Sequence, residues 1–167
     1  MLLRHLLSVL ILPFVVAVVL PYVLIDGTVG HLELNMDSPG TVLRVGAGAA
    51  LLLGGLVLFA WSVGLFASIG RGTLAPWDPT RNLVAMGPYR YVRNPMISGV
   101  GLILLGEALI WGSKTVGAWL AAFLLINHAY FLLLEEPGLE QRFGEAYRVY
   151  KGHVPPWIPR TRPWTGR

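Results

Sequence analysis

Apolar residues run along this chain in four long blocks, separated by shorter connections rich in polar residues, glycine and proline. A helix that crosses a bilayer needs about 20 mostly apolar residues. The blocks at 6–25, 41–69, 96–111 and 116–134 come near that length. Backbone polar groups inside a bilayer need internal partners, so each block is predicted to be a helix. Pro13 and Pro21 mark kink points in the first block, and the short third block predicts a partly unwound approach to the membrane. The first block is longer than a secretory core and lacks a small-residue cleavage site after it, which predicts a retained helix. In the second, Gly46, Ala50 and Gly54 recur every four residues and predict a face for close helix approach.

Beyond the fourth block the period persists but the composition changes. Leu139, Phe143, Tyr147 and Tyr150 recur at helical spacing among Glu140, Arg142, Glu145 and Arg148. An amphipathic helix over about 138–150 is expected, lying at the interface or capping the bundle. Pro137 suits the first turn of a new helix, so the chain is expected to turn just after Glu136. The prolines of 154–159 predict an extended course, with Trp157 and Trp164 as interfacial anchors. The expected fold class is all-α: a polytopic membrane helix bundle of about four transmembrane helices plus a C-terminal amphipathic interfacial helix, one domain over 1–167.

Composition sharpens this picture. Charged residues make up 13% of the chain and hydrophobic ones 54%. Soluble domains carry about 25% charged residues, so the missing charge is accounted for by a surface facing lipid. There is no cysteine, which excludes disulfides, thiolate metal sites and a cysteine nucleophile. The net charge of +4 is carried by Lys and Arg residues beside apolar runs, a placement that suits lipid headgroups and not nucleic acid. Segment 26–40 holds Asp26, Glu33 and Asp37 without Lys or Arg, whereas 70–94 holds Arg71, Arg81, Arg90 and Arg93, and the tail after the fourth block is also basic. The positive-inside rule then places both termini and both basic segments in the cytoplasm.

Several polar groups are costly for such a chain to keep. Gly87-Pro88-Tyr89-Arg90-Tyr91-Val92-Arg93-Asn94-Pro95-Met96 is cationic and partly non-helical at the start of the third block. Such backbone is tolerated at membrane depth where it lines a cavity, and arginine forks suit carboxylate or phosphate; an ordinary basic loop has the same composition. Gly99 and Gly101 would let a flat ligand touch backbone, or a neighbouring helix pack closely. Glu135 and Glu136 oppose the helix dipole at the end of the fourth block, as a ligand-cation site or as a solvated helix end. Glu107, Asn127 and His128 lie inside apolar blocks, where polar groups serve function or bundle hydrogen bonding. A ligand with an anionic group, a cationic group and a flat aromatic part would match these residues. S-adenosylmethionine has that character, although the chemistry alone does not single it out.

Gly87-Pro88-Tyr89, Arg93-Asn94-Pro95-Met96, the Glu135-Glu136 pair, Phe143-Gly144-Glu145-Ala146-Tyr147 and the stretch from Val154-Pro155 to Pro159 occur in an order that resembles the isoprenylcysteine carboxyl methyltransferase and phospholipid methyltransferase superfamily. The resemblance covers the chain from Gly72 onward. It implies an integral membrane methyltransferase using S-adenosyl-L-methionine, with its site at the cytoplasmic face and a lipid or lipidated acceptor. Carried over, Gly99, Gly101, Glu135 and Glu136 match positions that contact the cofactor, and Arg93 matches the arginine of the Arg-His-Pro element; beside them Asn94 is expected to share the catalytic role of Arg93, and Tyr89, Arg90 and His128 to join the cofactor-binding residues. Tyr147 and Tyr150 would contact the acceptor, and no metal is implied. Asn94 stands where the carboxyl methyltransferases have histidine, and Ile97 where tyrosine is common, so the sequence leans toward the phospholipid branch. Two other classes are weighed against this. A small membrane accessory or transport module explains the helices but not the convergence of arginines and acids. A haem protein needs a second histidine facing His128, and His5, His31 and His153 lie near termini or loops.

Overall fold

A computed structural model describes residues 13–26, 38–70 and 80–166. The regular structure of these residues is entirely helical. We label α1 (Val15–Ile25), α2 (Pro39–Gly70), α3 (Pro95–Trp111), α4 (Lys114–Phe143) and α5 (Glu145–His153). Only 11% of the most apolar stretch of α2 and 17% of that of α4 is buried, although both helices are long enough to cross a bilayer. The core helix of a soluble protein would be mostly buried, so apolar surface turned outward on this scale fits lipid. The helices α1 and α3 are also apolar but shorter. The first residues of the 6–25 block, most of the acidic 26–40 segment, and Arg71 and Asp78 lie outside the described residues.

Prolines inside the helices are absorbed by widened turns. A π-helical turn at Val15–Val19 precedes Pro21, and another at Phe131–Glu135 precedes Pro137. In each the following amide reaches five residues back, Leu20 N–H to Val15 O and Glu136 N–H to Phe131 O. Proline has no N–H, and its ring crowds the carbonyl four residues earlier; a widened turn relieves both problems without ending the helix. This corrects the turn expected after Glu136. The helix α4 runs through Pro137 to Phe143, and the chain reverses at Gly144, whose φ of +54° favours glycine. The residues expected as one amphipathic helix over 138–150 are therefore shared between the end of α4 and α5.

The tightest packing joins α2 to α3. A Cβ on Gly48 would stand 2.8 Å from Gly106 O, and one on Gly55 would stand 2.7 Å from Gly99 O. Pairing 48 with 106 and 55 with 99 makes the two helices antiparallel, each presenting small residues at a seven-residue period. Such a period keeps one stripe facing a partner helix, drifting only about 20° per repeat. The stripe Gly46–Ala50–Gly54 does not make this contact: Gly46 and Gly54 meet nothing within 4 Å. A four-residue period on α2 lies on the opposite side from Gly48 and Gly55. At the far end of the pair, Arg44 Nη1 donates to Leu109 O at 2.6 Å, a carbonyl that also accepts from Gly112 N–H at 3.2 Å where α3 ends.

Against this pair pack α1 and α4, with Ala17, Val100, Ile103, Leu104 and Phe123 forming the buried core. The Trp119 indole N–H donates to Val16 O at 3.1 Å, tying α4 to α1 where the π turn opens the backbone. A second cluster, Tyr147, Tyr150 and Val154, gathers Leu83, Leu139, Phe143 and Trp164 around α5. It sits at the end of the bundle where α2 stops, α3 starts and α4 stops.

Candidate functional site

The site is built on the turn that leads into α3. Met86 O accepts from Tyr89 N–H at 3.1 Å, and Pro88 O accepts from Tyr91 N–H at 3.0 Å, closing a short 3-10 turn over Gly87–Arg90. Gly87 is required twice: its φ is +54°, and a Cβ there would press on Leu65 and the Trp61 ring of α2. Asn94 then precedes Pro95 at the first position of α3, and Asn94 O accepts from the Ser98 amide and hydroxyl.

The C-terminal stretch returns antiparallel over this turn as a strap. Arg93 N–H donates to Pro155 O at 2.9 Å, Arg160 N–H to Tyr91 O at 3.0 Å, and Trp164 N–H to Arg90 O at 3.0 Å. Its prolines keep the strap extended, which leaves its carbonyls open to accept from a neighbouring segment.

Beneath the strap lies a buried ion network. Arg93 Nη1 pairs with Glu136 Oε1, and both side chains are almost wholly buried. Lys151 Nζ reaches the other Glu136 oxygen at 2.8 Å and Glu140 Oε1 at 2.7 Å. Those hydrogen bonds, to Glu136 first, hold the Lys151 ammonium above its ordinary range. The Arg93 guanidinium also lies 5.5 Å from the centre of the Phe131 ring. Both oxygens of Glu136 are thus spent on cations of the protein itself.

Next to the network is a narrow cavity of about 60 Å3, walled by Phe66, Tyr89, Arg93, Glu135, Tyr147 and Tyr150 among others. Glu135 has no ion-pair partner among the described residues, in contrast to its neighbour. Arg93 Nε and the Tyr147 hydroxyl are buried beside the cavity without a hydrogen bond of good geometry, although the guanidinium and the phenol interact with each other. Burial, with the Glu136 charge behind it, pushes the Tyr147 phenol up to about 12. The phenols of Tyr89 and Tyr150 are also raised, chiefly by burial. All three tyrosines are therefore neutral at pH 7. Tyr150 donates its hydroxyl to Tyr89 O at 2.7 Å. Tyr150→Phe should therefore cost about 1 kcal/mol, read as a lower thermal midpoint in detergent.

The structure brings together Tyr89, Arg93, Glu135, Tyr147 and Tyr150, with Glu136 directly behind them. Asn94 is buried beside this group as the cap residue of α3, and its side chain makes no capping bond. Arg90 points elsewhere, donating Nε to Trp164 O at 2.6 Å. Gly99 faces Gly55 and Phe59 of α2, and Gly101 faces Leu124 and Leu120 of α4, so neither lines the cavity. His128 is exposed and its Nδ1 accepts from Trp157 Nε1 at 2.9 Å. Tyr91 is also outside, on the exposed side of the turn. Asn127 donates to Phe123 O at 2.8 Å, an ordinary bond within α4. Lys151 and Phe131 were not singled out from sequence. Lys151 follows Tyr147 by four residues on α5, and that spacing marks it as part of the same inward face.

With this geometry in hand, the model of the phospholipid methyltransferase family matches residues 43–146. That stretch contains most of α2, all of α3 and α4, the turn at Gly87–Arg90 and the acid pair. Neither a curated protein nor a solved structure matches the chain.

Proposed function

The chain belongs to the phospholipid methyltransferase family, and we propose that it is an S-adenosylmethionine-dependent enzyme that methylates an amphipathic acceptor held in the membrane. A single observation carries this reading: Arg93, Glu135, Tyr89, Tyr147 and Tyr150 converge on one cavity at the end of an apolar bundle. The donor set fits the proposed cofactor. Glu135, with no ion-pair partner among the described residues, suits an ammonium or a ribose; Arg93 Nε and the Tyr147 hydroxyl, neither in a well-formed hydrogen bond, suit a carboxylate; the tyrosine rings suit a flat base. The cavity is narrow, and we expect the strap or α5 to shift as the cofactor enters.

Bound there, S-adenosylmethionine would supply an electrophilic methyl group, already activated by its sulfonium. The residues of the chain then have three tasks. Arg93, fixed by Glu136 and Phe131, orients the donor. Glu135 holds its cationic end. The buried tyrosines and the strap exclude water, so that positioning supplies most of the rate. A protonated acceptor amine would have to give up a proton for its nitrogen to accept a methyl group. The tyrosines, held neutral, are not ready bases for that proton.

We read the bundle as crossing the membrane four times with both termini in the cytoplasm. The arginine-bearing turn, the acid pair and the basic tail then share the cytoplasmic end. Asn94 and Ile97 favour a phospholipid amine over a prenylcysteine carboxylate as acceptor. Saturable binding of S-adenosylhomocysteine to the detergent-purified protein, followed by calorimetry, is the expected result. No heat from a folded sample, with and without added lipid, would sink the enzyme reading. Incubation with methyl-labelled cofactor and lipid then identifies the acceptor: label on an amine resists mild base, and label in a methyl ester does not.

A further inference from the structure

The turn that presents Arg93 to the cavity presents Arg90 to a different place. On the outer side of Gly87–Arg90 is a groove of about 450 Å3 lined by Ala85, Met86, Gly87, Arg90, Trp164 and Thr165. Its two lips come from the start of the turn and the end of the strap. Arg90 Nε is pinned to Trp164 O at 2.6 Å, and Trp164 N–H returns a bond to Arg90 O at 3.0 Å. This pair of bonds fixes the guanidinium, and its two terminal nitrogens have no hydrogen-bond partner among the described residues. No carboxylate among the described residues pairs with Arg90; the ion pairs involve Arg93, Arg148 and Lys151. A half-buried arginine held in place with no counter-charge among the described residues is suited to receive an anion, and its planar fork suits phosphate oxygens.

The surroundings indicate where that anion comes from. Gly87 rests on Trp61 and Leu65 of α2, and Met86 and Trp61 are both more than half exposed. The groove therefore continues directly onto the outward apolar face of a helix long enough to span a bilayer. A ligand with acyl chains beside α2 and an anionic group at the end of that helix would meet both surfaces. We propose that this groove binds the phosphodiester of a phospholipid, with Arg90 as its anchor, as a site separate from the donor cavity. The proposal rests on the methyltransferase reading only for its purpose. In that setting Arg90 would hold the acceptor's phosphate on one side of the turn while Arg93 holds the donor on the other.

The test uses full-length protein in dodecyl maltoside, titrated in parallel with dihexanoylphosphatidylethanolamine, inorganic phosphate and S-adenosylhomocysteine. The lipid and phosphate arms are read by phosphorus NMR and the third by calorimetry. Arg90→Gln should weaken the short-chain lipid about tenfold or more. Thr165→Glu, which sets a carboxylate in the groove without touching the Arg90 bonds, should weaken the lipid likewise while leaving S-adenosylhomocysteine binding unchanged. Lipid affinity equal to wild type in both variants overturns the site. So does a loss of S-adenosylhomocysteine affinity in Thr165→Glu as large as its loss of lipid affinity, because the groove would then belong to the donor cavity. Inorganic phosphate binding as tightly as the lipid, with the same Arg90 dependence, overturns the lipid as the source of the anion. Wild-type protein that binds lipid through Arg90 but never binds S-adenosylhomocysteine keeps the groove and removes the enzyme reading.

Discussion

Glu136→Ala is expected to destabilise the protein by about 3–5 kcal/mol, whereas Glu135→Ala should leave its stability within about 0.5 kcal/mol of wild type. The two acids are adjacent, but their environments are opposed. Glu136 is 5% exposed at its side chain and answers both Arg93 and Lys151. Removing it strands the Arg93 guanidinium, equally buried, without its ion-pair partner among the described residues. The cost of breaking such a pair is mostly the cost of the charge left behind. Glu135 has no such debt among the described residues and lines the cavity instead. Its loss should weaken S-adenosylhomocysteine at least about tenfold, as expected for removal of one charge-assisted contact. Thermal unfolding in detergent reads the first effect and calorimetry the second. Equal behaviour of the two variants in both measurements would refute the division of labour.

That division shows what a sequence of this kind can and cannot convey. The paired acids, the two arginines and the tyrosines at helical spacing were legible because each is expensive beside apolar helices. The hydropathy blocks also matched α2 and α3 to within two residues at each end, whereas α4 continues nine residues beyond its block to Phe143. The partners were not legible. Nothing in one dimension says that Arg93 faces Glu136 while Arg90 faces Trp164 O, because the strap that separates them is brought back from more than sixty residues away. Pro137 misled for a related reason. Its local preference is for a first helical turn, but a π turn before it let α4 continue, and α4 is fixed by tertiary contacts along its length. The resemblance seen from Gly72 onward also understated the family match, which begins at residue 43 inside α2. Helix α2 carries few polar residues, so its contribution is a packing pattern and not a motif.

The glycines of that pattern give the other large effect. Gly55→Ala and Gly99→Ala should each destabilise the protein by about 1–3 kcal/mol, and Gly46→Ala by nothing measurable. A Cβ at Gly55 would sit 2.7 Å from Gly99 O, and one at Gly99 would sit 2.9 Å from Phe59 N. Both obstacles are backbone, which cannot swing aside as a side chain can, so α2 and α3 must separate along their length. Separation would carry the turn at Gly87 away from Trp61 and loosen the arginine-bearing loop. Gly46 faces open space, and there alanine gains helix propensity without a clash. The same variants test the cofactor role that the family resemblance assigns to Gly99. If its work is helix packing, Gly55→Ala and Gly99→Ala will lower the thermal midpoint together, and S-adenosylhomocysteine affinity measured well below that midpoint will fall equally in both. If Gly99 touches the cofactor, its variant alone will lose affinity beyond what the shared loss of stability explains. Gly55, on the far side of the same contact, supplies the comparison that separates the two roles.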